Sequence, residues 1–428
     1  MLLLIALIML GLAGLALLDV VIRRPTVAAA LLLVVVVVEH SNALPSELLG
    51  AGLNVGPNDA MAALLAAGAG ARYLRIRRVP MEHRLLLALI GLAIFSLATG
   101  VLQYGEGAVS EARPWVWFLS TAAYFSTVRL TQEEFDRIGR YWVWGGAAIM
   151  IVAYLRWGAV AGGLPSVSIL AYEHGDLRVV RARETLIMVQ GFLIVAPLWR
   201  NRANVTYRWL GVAMLATVLL MRHRTLWVAF ILALFVIMIR EPELGRRFGA
   251  VTIVAILVGG GIFTAFLGGG EEQVEASASS SSFEWRLEGW VTLLAEEGPQ
   301  DAGDVAVGLP FGSGWGREVS GNPNETRPHS HYVEAALRMG VPGLLALIVC
   351  YLLVIRKLWR RPPDYTQPGL LTGDVLLYLL VVQVAVSITY DLRETGGLAL
   401  GLALARLLPQ PKSAVELPPR DSALLANP

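Results

Sequence analysis

Residues 331–355 read HYVEAALRMGVPGLLALIVCYLLVI, and from residue 339 onward this stretch contains no charged side chain. An apolar run of this length extends for roughly 25 Å along a helix axis, close to the thickness of a bilayer's hydrocarbon core. The whole chain shares this character, since 56% of its 428 residues are hydrophobic and its mean hydropathy is +0.60. We therefore predict an all-α integral membrane protein with many spans.

Further apolar segments repeat along the chain. They lie near residues 1–22, 25–44, 57–73, 84–103, 115–129, 141–160, 184–199, 207–221, 225–239, 248–268, 332–355, 370–389 and 396–408. These segments predict about 12–13 transmembrane helices. Glu39 and His40 interrupt the second segment, and the last has only about two-thirds of the usual length of a span. The first lacks a basic start and a small-residue cleavage site, so we interpret it as an uncleaved anchor.

The basic residues are distributed unevenly between alternate connections. About two-thirds of the 35 arginines and lysines fall on one side, which the positive-inside rule makes cytoplasmic. The other side receives residues 105–114, 161–183, 222–224 and the longest insertion, 269–331. We expect the functional site on this outer side.

The chain thus divides into a bundle, a loop and a tail. Residues 1–268 and 332–408 form the membrane bundle, 269–331 form a large extracytoplasmic loop, and 409–428 form a flexible cytoplasmic tail.

Composition divides the large loop into three parts. Residues 269–282 are rich in glycine, serine and acidic residues, which predicts a flexible lead-in. Residues 283–296 carry apolar side chains at helical spacing, which predicts an amphipathic helix across the outer mouth of the bundle. Its Trp285 and Trp290 are typical of a membrane interface. Residues 297–331 form a turn-rich segment that leads to two histidines.

Cationic side chains on the predicted outer side run against the positive-inside bias. Arg222 and Arg224 stand in a connection too short to form a solvated loop. Polar residues near membrane depth usually face the bundle interior or an aqueous cavity. We therefore expect one outward-facing cavity to collect several candidate side chains, namely Arg181, Arg183, Arg222, Arg224, Arg286, His329 and His331.

A purely structural interpretation competes for several of these residues. Arginines at the ends of spans, such as Arg181 and Arg183, often extend to lipid headgroups. His331 also suits an interfacial cap, and Glu334 and Arg338 have the spacing of a pair that is neutralised within the bundle. We retain His331 and Glu334 as possible supporting residues.

A spaced pattern opens the late helix. His329 and Ser330 are followed by Gly340 and then by Gly343 three residues further on. This register selects His329 rather than His331 as the first residue of the pattern.

Two earlier segments add to this pattern. RHRTLWVA places Arg224 at the outer start of an apolar helix, directly after His223. Arg286 and Trp290 are followed by LPFGSGWG at 309–316, which leads toward the late histidine. In order and spacing, the three segments together resemble the O-antigen ligase and polymerase superfamily of bacterial membrane enzymes.

The resemblance covers roughly residues 180–360 and departs from the family pattern at two positions. His223 stands where the family has serine, and Ser330 stands where it has asparagine. Members move a glycan from a polyprenyl diphosphate carrier to an acceptor outside the cytoplasmic membrane. The resemblance implies the same activity here, with His329 as general base. It also implies that arginines bind the diphosphate, namely Arg222, Arg224, Arg286 and one of Arg181 and Arg183.

The chemistry of such a transfer agrees with these residue types. A sugar diphosphate already carries a good leaving group, so we expect no cofactor. Arginines in a low-dielectric pocket stabilise the charge that builds on the departing diphosphate. A histidine with an ordinary pKa of about 6.5 accepts the hydroxyl proton near neutral pH. No Asp-x-Asp cluster lies on the outer side, so we predict a metal-independent, inverting reaction.

The expected partners are the lipid-linked glycan donor, a hydroxyl acceptor and the bilayer of a bacterial cytoplasmic membrane, with no nucleic acid. A transporter, or a flippase of lipid-linked sugars, is the alternative, because many spans with polar residues toward the interior suit it equally well. Within the enzyme class, ligase and polymerase stay open, since they differ only in the acceptor.

Overall fold

The computed structural model describes residues 14–41, 56–76, 79–162, 179–199, 204–267, 281–295, 298–319, 322–363 and 369–408. Of these residues, 81% are helical, in agreement with the all-α prediction. The predicted lead-in at 269–282, the connection at 161–183 and the tail at 409–428 lie mostly or wholly outside the described residues.

The elements follow one another as helices, with a short hairpin late in the chain. The helices are α1 (Gly14–Arg23), α2 (Pro25–His40), α3 (Pro57–Tyr73), α4 (Met81–Tyr104), α5 (Glu106–Ser126), α6 (Gln132–Ala161), α7 (Ala182–Val195, continued by a 3-10 turn at Ala196–Trp199), α8 (Val205–Leu220), α9 (Arg224–Arg240), α10 (Pro242–Leu267), α11 (Ser281–Ala295), α12 (Ala302–Val307), α13 (His331–Arg360), α14 (Gly373–Val386) and α15 (Glu394–Leu407). Strands β1 (Arg317–Val319) and β2 (Asn322–Asn324) pair antiparallel between α12 and α13.

Several helices have the length and apolar character of membrane spans. In the described part of the chain these are α4, α6, α7 with its 3-10 turn, and α13, and α1 and α2 together make a fifth candidate bent by 119°. Helices α8 and α14 are apolar but shorter. A multi-pass membrane protein is therefore supported, whereas the count of about 12–13 spans remains a prediction.

Close helix packing forms the centre of the bundle, where α7, α14 and α15 are almost completely buried. Helix α15 approaches α5 so closely that a Cβ on Gly397 would overlap the carbonyl oxygen of Phe118. A Cβ on Gly401, one turn later, would lie 2.7 Å from the Cβ of Phe125. Small residues one turn apart permit such contact between membrane helices.

Helix α13 is broken at Gly340. This residue has a φ of 64°, in the left-handed region that glycine adopts without strain. A Cβ there would lie 2.7 Å from the carbonyl oxygen of Ala306 in α12, and the N–H of Leu309 donates to the Leu337 carbonyl at 2.6 Å. The apolar segment predicted as one helix is therefore two helical pieces, with the loop packed against the break.

The expectation of a connecting loop at 105–114 is wrong, because residues 106–114 are helical. Helix α4 ends at Tyr104 and α5 begins at Glu106, so only Gly105 separates them. The first two turns of α5 continue the helix beyond its apolar part because their charges find partners. Arg113 lies 3.6 Å from Asp59, and Glu111 forms an ion pair with Arg338 of α13.

Residues 298–319 and 322–330 cover one end of the bundle, which we call the loop face. The Phe311 N–H donates to the carbonyl of Ser96 in α4 at 3.3 Å, and the Gly312 N–H donates to the carboxylate of Glu111 in α5 at 3.1 Å. Helix α11 lies where the sequence predicts an amphipathic helix at 283–296, whereas the β1–β2 hairpin was not predicted.

Candidate functional site

A cavity of about 370 Å³ opens at the loop face, with side chains from distant parts of the chain in its wall. Its lining residues are Arg181, Ala182, Arg183, His223, Arg286, Arg327, His329, Tyr390, Asp391 and Arg393. Five of them are arginines, and the one carboxylate is Asp391. The cavity wall therefore carries a clear excess of positive charge.

Four helix N-termini meet at this cavity. Arg181, His223 and Arg393 are the residues directly before the first turns of α7, α9 and α15. His329 precedes Ser330, the N-cap of α13, whose hydroxyl accepts from the Val333 N–H at 3.4 Å. Helix N-termini carry partial positive charge and unpaired N–H groups, and so they favour anions. The helix dipoles therefore add to the field of the arginines, and Glu184, Glu334 and Glu394 in the first turns of α7, α13 and α15 offset part of this effect.

His329 holds an uncommon backbone conformation at the cavity. Its φ is 51°, a left-handed value that non-glycine residues rarely adopt and that often accompanies functional sites. The preceding residue is held by Trp290, whose indole N–H donates to the Pro328 carbonyl at 2.7 Å. The side chain of His329 is exposed, in line with a role toward a bound molecule.

The surroundings of His329 favour its neutral form. Desolvation lowers its pKa, Asp391 opposes this shift, and the nearby arginines 286, 183 and 327 lower the pKa further. A neutral imidazole accepts a proton at one ring nitrogen. At neutral pH, His329 is therefore able to act as a base.

Arg183 lines the cavity and also carries an unpartnered donor. Its Nη1 is buried and has no hydrogen-bond acceptor among the described residues. A buried charged donor without a partner is costly, unless a ligand supplies the acceptor. The chain before it is anchored by Arg156, which donates to the Val179 carbonyl at 2.9 Å, and by His223, which donates to the Val180 carbonyl at 3.0 Å.

Arg286 reaches the cavity from α11. Its guanidinium lies 5.4 Å from the centre of the Tyr390 ring, within the range of a cation–π contact. This contact joins α11 to the segment between α14 and α15.

Asp391 and Arg393 form an ion pair in that connection. The Arg393 Nε donates to Asp391 Oδ2 at 3.0 Å, and the guanidinium lies 5.0 Å from the centre of the Trp117 ring. Burial would raise the pKa of Asp391, but Arg393 and the nearby arginines 183 and 327 outweigh it and hold that pKa well below its usual range. Asp391 is therefore ionised, and its negative charge lies near His329.

Arg327 is held from behind by two contacts. Its Nε donates to Oε1 of Glu334 at 2.7 Å, and its Nη2 donates to the Glu111 carbonyl at 2.8 Å. The Glu334 side chain has no exposed surface and does not line the cavity. Glu334 thus supports the site through Arg327.

The alternative interpretation, in which Glu334 and Arg338 neutralise each other, is wrong. Arg338 instead forms an ion pair with Glu111 and stacks on Trp315, whose ring centre lies 4.0 Å from the guanidinium. The spacing along α13 does permit a Glu334–Arg338 pair, but tertiary contacts offer each side chain another partner.

His331 is a packing residue in this fold. Its ring stacks on Trp115 at 4.0 Å and meets Phe118 edge-on at 5.0 Å, and only 1% of the residue is exposed. Its Nδ1 accepts from the Leu392 N–H at 3.4 Å. His331 therefore fixes α13 to α5 and to the connection that carries Asp391, and it does not line the cavity.

The predicted site residues thus separate into two groups. Arg181, Arg183, Arg286 and His329 line one cavity. Arg222 and Arg224 do not line it, although His223 between them does. Neighbouring side chains at the start of a helix point in different directions. The sequence segment therefore identified the part of the chain that reaches the cavity, but not the side chain that lines it.

Three charged residues in the cavity lining were not predicted from the sequence, namely Arg327, Asp391 and Arg393. A signal was present for the last two, because the segment YDLRE lies between two apolar segments on the predicted outer side. Arg327 stands two residues before His329. In the described part of the chain, no group of three or more His, Cys, Asp or Glu side chains is placed to hold a metal ion.

Comparison with known proteins gives no assignment. The sequence matches no protein-family model and no curated protein.

Proposed function

We propose that this protein is a membrane glycosyltransferase of the O-antigen ligase or polymerase type. It would move a glycan from a polyprenyl diphosphate carrier to an acceptor hydroxyl at the loop face. One observation carries the proposal: five arginines and four helix N-termini surround a single exposed histidine in one cavity.

The charge of the cavity suits a diphosphate. Asp391 neutralises Arg393, and Glu334 neutralises Arg327 from behind. Arg181, Arg183 and Arg286 supply the excess, and the buried Nη1 of Arg183 offers a hydrogen bond that no described residue accepts. Arginine forks bind phosphate oxygens in bidentate fashion and strengthen as charge develops on them.

The proposed reaction is a single displacement at the anomeric carbon. The acceptor oxygen forms a bond to this carbon while the bond from the carbon to the diphosphate oxygen breaks. The acceptor's proton passes to His329, and the electron pair of the broken bond leaves with the diphosphate, which the arginines stabilise. Attack opposite the leaving group inverts the sugar carbon. A positioned base contributes about 10²–10⁴-fold to such a rate.

The apolar helices around the site suit a lipid-linked donor. Helices with the character of membrane spans, such as α13 and α7, begin at the cavity. A donor whose hydrocarbon tail stays in the bilayer would therefore present its diphosphate at this level. We propose accordingly that the loop face lies outside the cytoplasmic membrane of a bacterium, and that the reaction is metal-independent and uses no cofactor.

A flippase or transporter of lipid-linked sugars is the competing function, because it too would bind the diphosphate in a cationic cavity. The two functions differ in whether a covalent bond breaks. His329 favours the enzyme, since transport of an intact lipid requires no base at the anomeric carbon.

The deciding experiment is a turnover assay in proteoliposomes. The purified protein is given one defined lipid-linked repeat unit, and the released polyprenyl diphosphate is measured by mass spectrometry. We expect release, with a ladder of products if the protein is a polymerase, or release only after a second acceptor is added if it is a ligase. Movement of intact donor across the bilayer with no release under either condition would contradict the proposal.

A further inference from the structure

Helix α11 has a broad apolar side, of which one part is buried and the adjoining part is exposed. In the buried part, Trp290 and Leu293 pack with Trp315, Val333 and Leu337 in a small core of their own. The exposed part consists of Phe283, Leu287, Val291 and Leu294. We call these four residues the α11 stripe.

The α11 stripe is continuous along the helix. Its members are four, four and three residues apart, so they fall on one side of an α-helix. Each remains 44–54% exposed, although large apolar side chains on a protein loop normally find cover. The protein therefore presents a ridge of hydrocarbon along about three turns of helix.

The position of α11 along the bundle is set by α13, on which it packs. The buried part of its apolar side packs on Val333 and Leu337, in the first two turns of α13. Helix α13 is one of the candidate membrane spans, and further along it Leu345 and Leu352 are exposed in the same manner. The α11 stripe thus lies beside the first turns of a candidate membrane span.

We propose that the α11 stripe is a membrane-docking surface that rests in the interface of the bilayer at the loop face. The occupant is lipid, because the stripe is level with the start of α13 and resembles that helix's own exposed side. Amphipathic helices bind interfaces in this way when their apolar face is large.

The stripe's border indicates which lipids it would prefer. Exposed Glu284 and Glu288 flank it. Acidic residues gain nothing from anionic headgroups, so docking would depend on apolar burial and not on lipid charge. This surface is independent of the proposed transfer activity.

A pair of spin labels tests the inference. The chain has one cysteine, Cys350, so a Cys350→Ser background permits single labels at Val291→Cys, on the stripe, and at Glu288→Cys, on its border. Leu345→Cys on α13 serves as the reference for a lipid-facing position. All three positions are exposed, so substitution should not disturb folding.

The full-length protein is reconstituted in vesicles of neutral lipid, with a parallel set containing anionic lipid. Collision of each label with oxygen, which concentrates in hydrocarbon, is compared with collision with a water-soluble nickel chelate. We expect the oxygen-to-nickel ratio at 291 to exceed that at 288 several-fold, to approach that at 345, and to be equal in both vesicle types. A ratio at 291 equal to that at 288 would show a surface in water and overturn the inference. Protection from both reagents, with spin–spin broadening, would show a second protein copy on the stripe and overturn it equally.

Discussion

Arg327 Nε lies 2.7 Å from Oε1 of Glu334, and the carboxylate has no exposed surface while the arginine is 20% exposed. The pair links the cavity wall to the buried first turn of α13. Breaking a buried pair on one side leaves the other charge uncompensated and costs about 3–5 kcal/mol when both are buried. Partial exposure of Arg327 reduces this cost.

We expect Glu334→Gln to impair transfer more than it impairs folding. The amide keeps the shape of the carboxylate but loses the charge that holds Arg327 in place. We predict about a tenfold fall in kcat/KM, which corresponds to about 1.4 kcal/mol, with a melting temperature in detergent within a few degrees of wild type. Glu325→Gln, at an exposed position of the same loop, is the matched control and should have wild-type activity. Wild-type kcat/KM in Glu334→Gln would remove Glu334 from the support of the site.

The two histidines at the start of α13 should separate function from stability. His329→Asn keeps a residue that tolerates the left-handed backbone but cannot act as a base. We expect transfer to fall by about 10²–10⁴-fold with unchanged thermal unfolding.

His331→Ala is the counterpart. It removes a ring stacked on Trp115 in the core, so we expect a loss of about 3 kcal/mol in unfolding free energy, with measurable transfer by the folded fraction. If His331→Ala were stable but inactive, and His329→Asn active, the assignment of the two roles would be reversed.

Much of the helical framework was predictable because hydrocarbon runs leave little choice of structure in a bilayer. The segment predicted at 57–73 is observed as Pro57–Tyr73, and the amphipathic segment at 283–296 as Ser281–Ala295. The length of an apolar segment does not, however, predict whether adjoining polar residues continue the helix by pairing with other parts of the fold. For this reason the helical start of α5 and the break at Gly340 emerged only from tertiary contacts.

The site was partly predictable from the positions of the charged residues. Charges on the predicted outer side identified Arg181, Arg183, Arg286 and His329, which line one cavity. The direction of a side chain at a helix start depends on its neighbours, so Arg224 was expected in the lining and is not found there. Asp391 contributes through its proximity to His329, which no sequence spacing reveals, because more than 60 residues separate the two.

The pH dependence of transfer should report His329. The base must be neutral, so kcat/KM rises as pH increases through the pKa of His329 and is level above it. Desolvation lowers that pKa, so we expect the acid limb below the ordinary value of about 6.5. Because Asp391 opposes this lowering, Asp391→Asn should move the limb to lower pH. Measured profiles of kcat/KM for both proteins provide the test, and a limb displaced to higher pH in the variant would contradict the proximity of these two groups.

Arginine-to-lysine substitutions should rank the cationic residues by their place in the cavity. Lysine retains the charge but lacks the planar fork that binds two phosphate oxygens. Arg183 lines the cavity with a buried Nη1 that no described residue accepts from, so Arg183→Lys should lower kcat/KM by at least about tenfold, or about 1.4 kcal/mol. Arg224 adjoins the same cavity in the chain without lining it, so Arg224→Lys is the matched comparison and should lose less.

Binding of a fluorescent polyprenyl diphosphate to the same two variants checks the cause of this ranking. The diphosphate needs the fork of Arg183, so affinity should fall in Arg183→Lys and remain close to wild type in Arg224→Lys. A larger loss in Arg224→Lys than in Arg183→Lys, in both measurements, would mean that Arg224 turns into the cavity when the donor binds. The sequence pattern RHRTLWVA would then have identified the arginine that binds the phosphate more accurately than the cavity lining does.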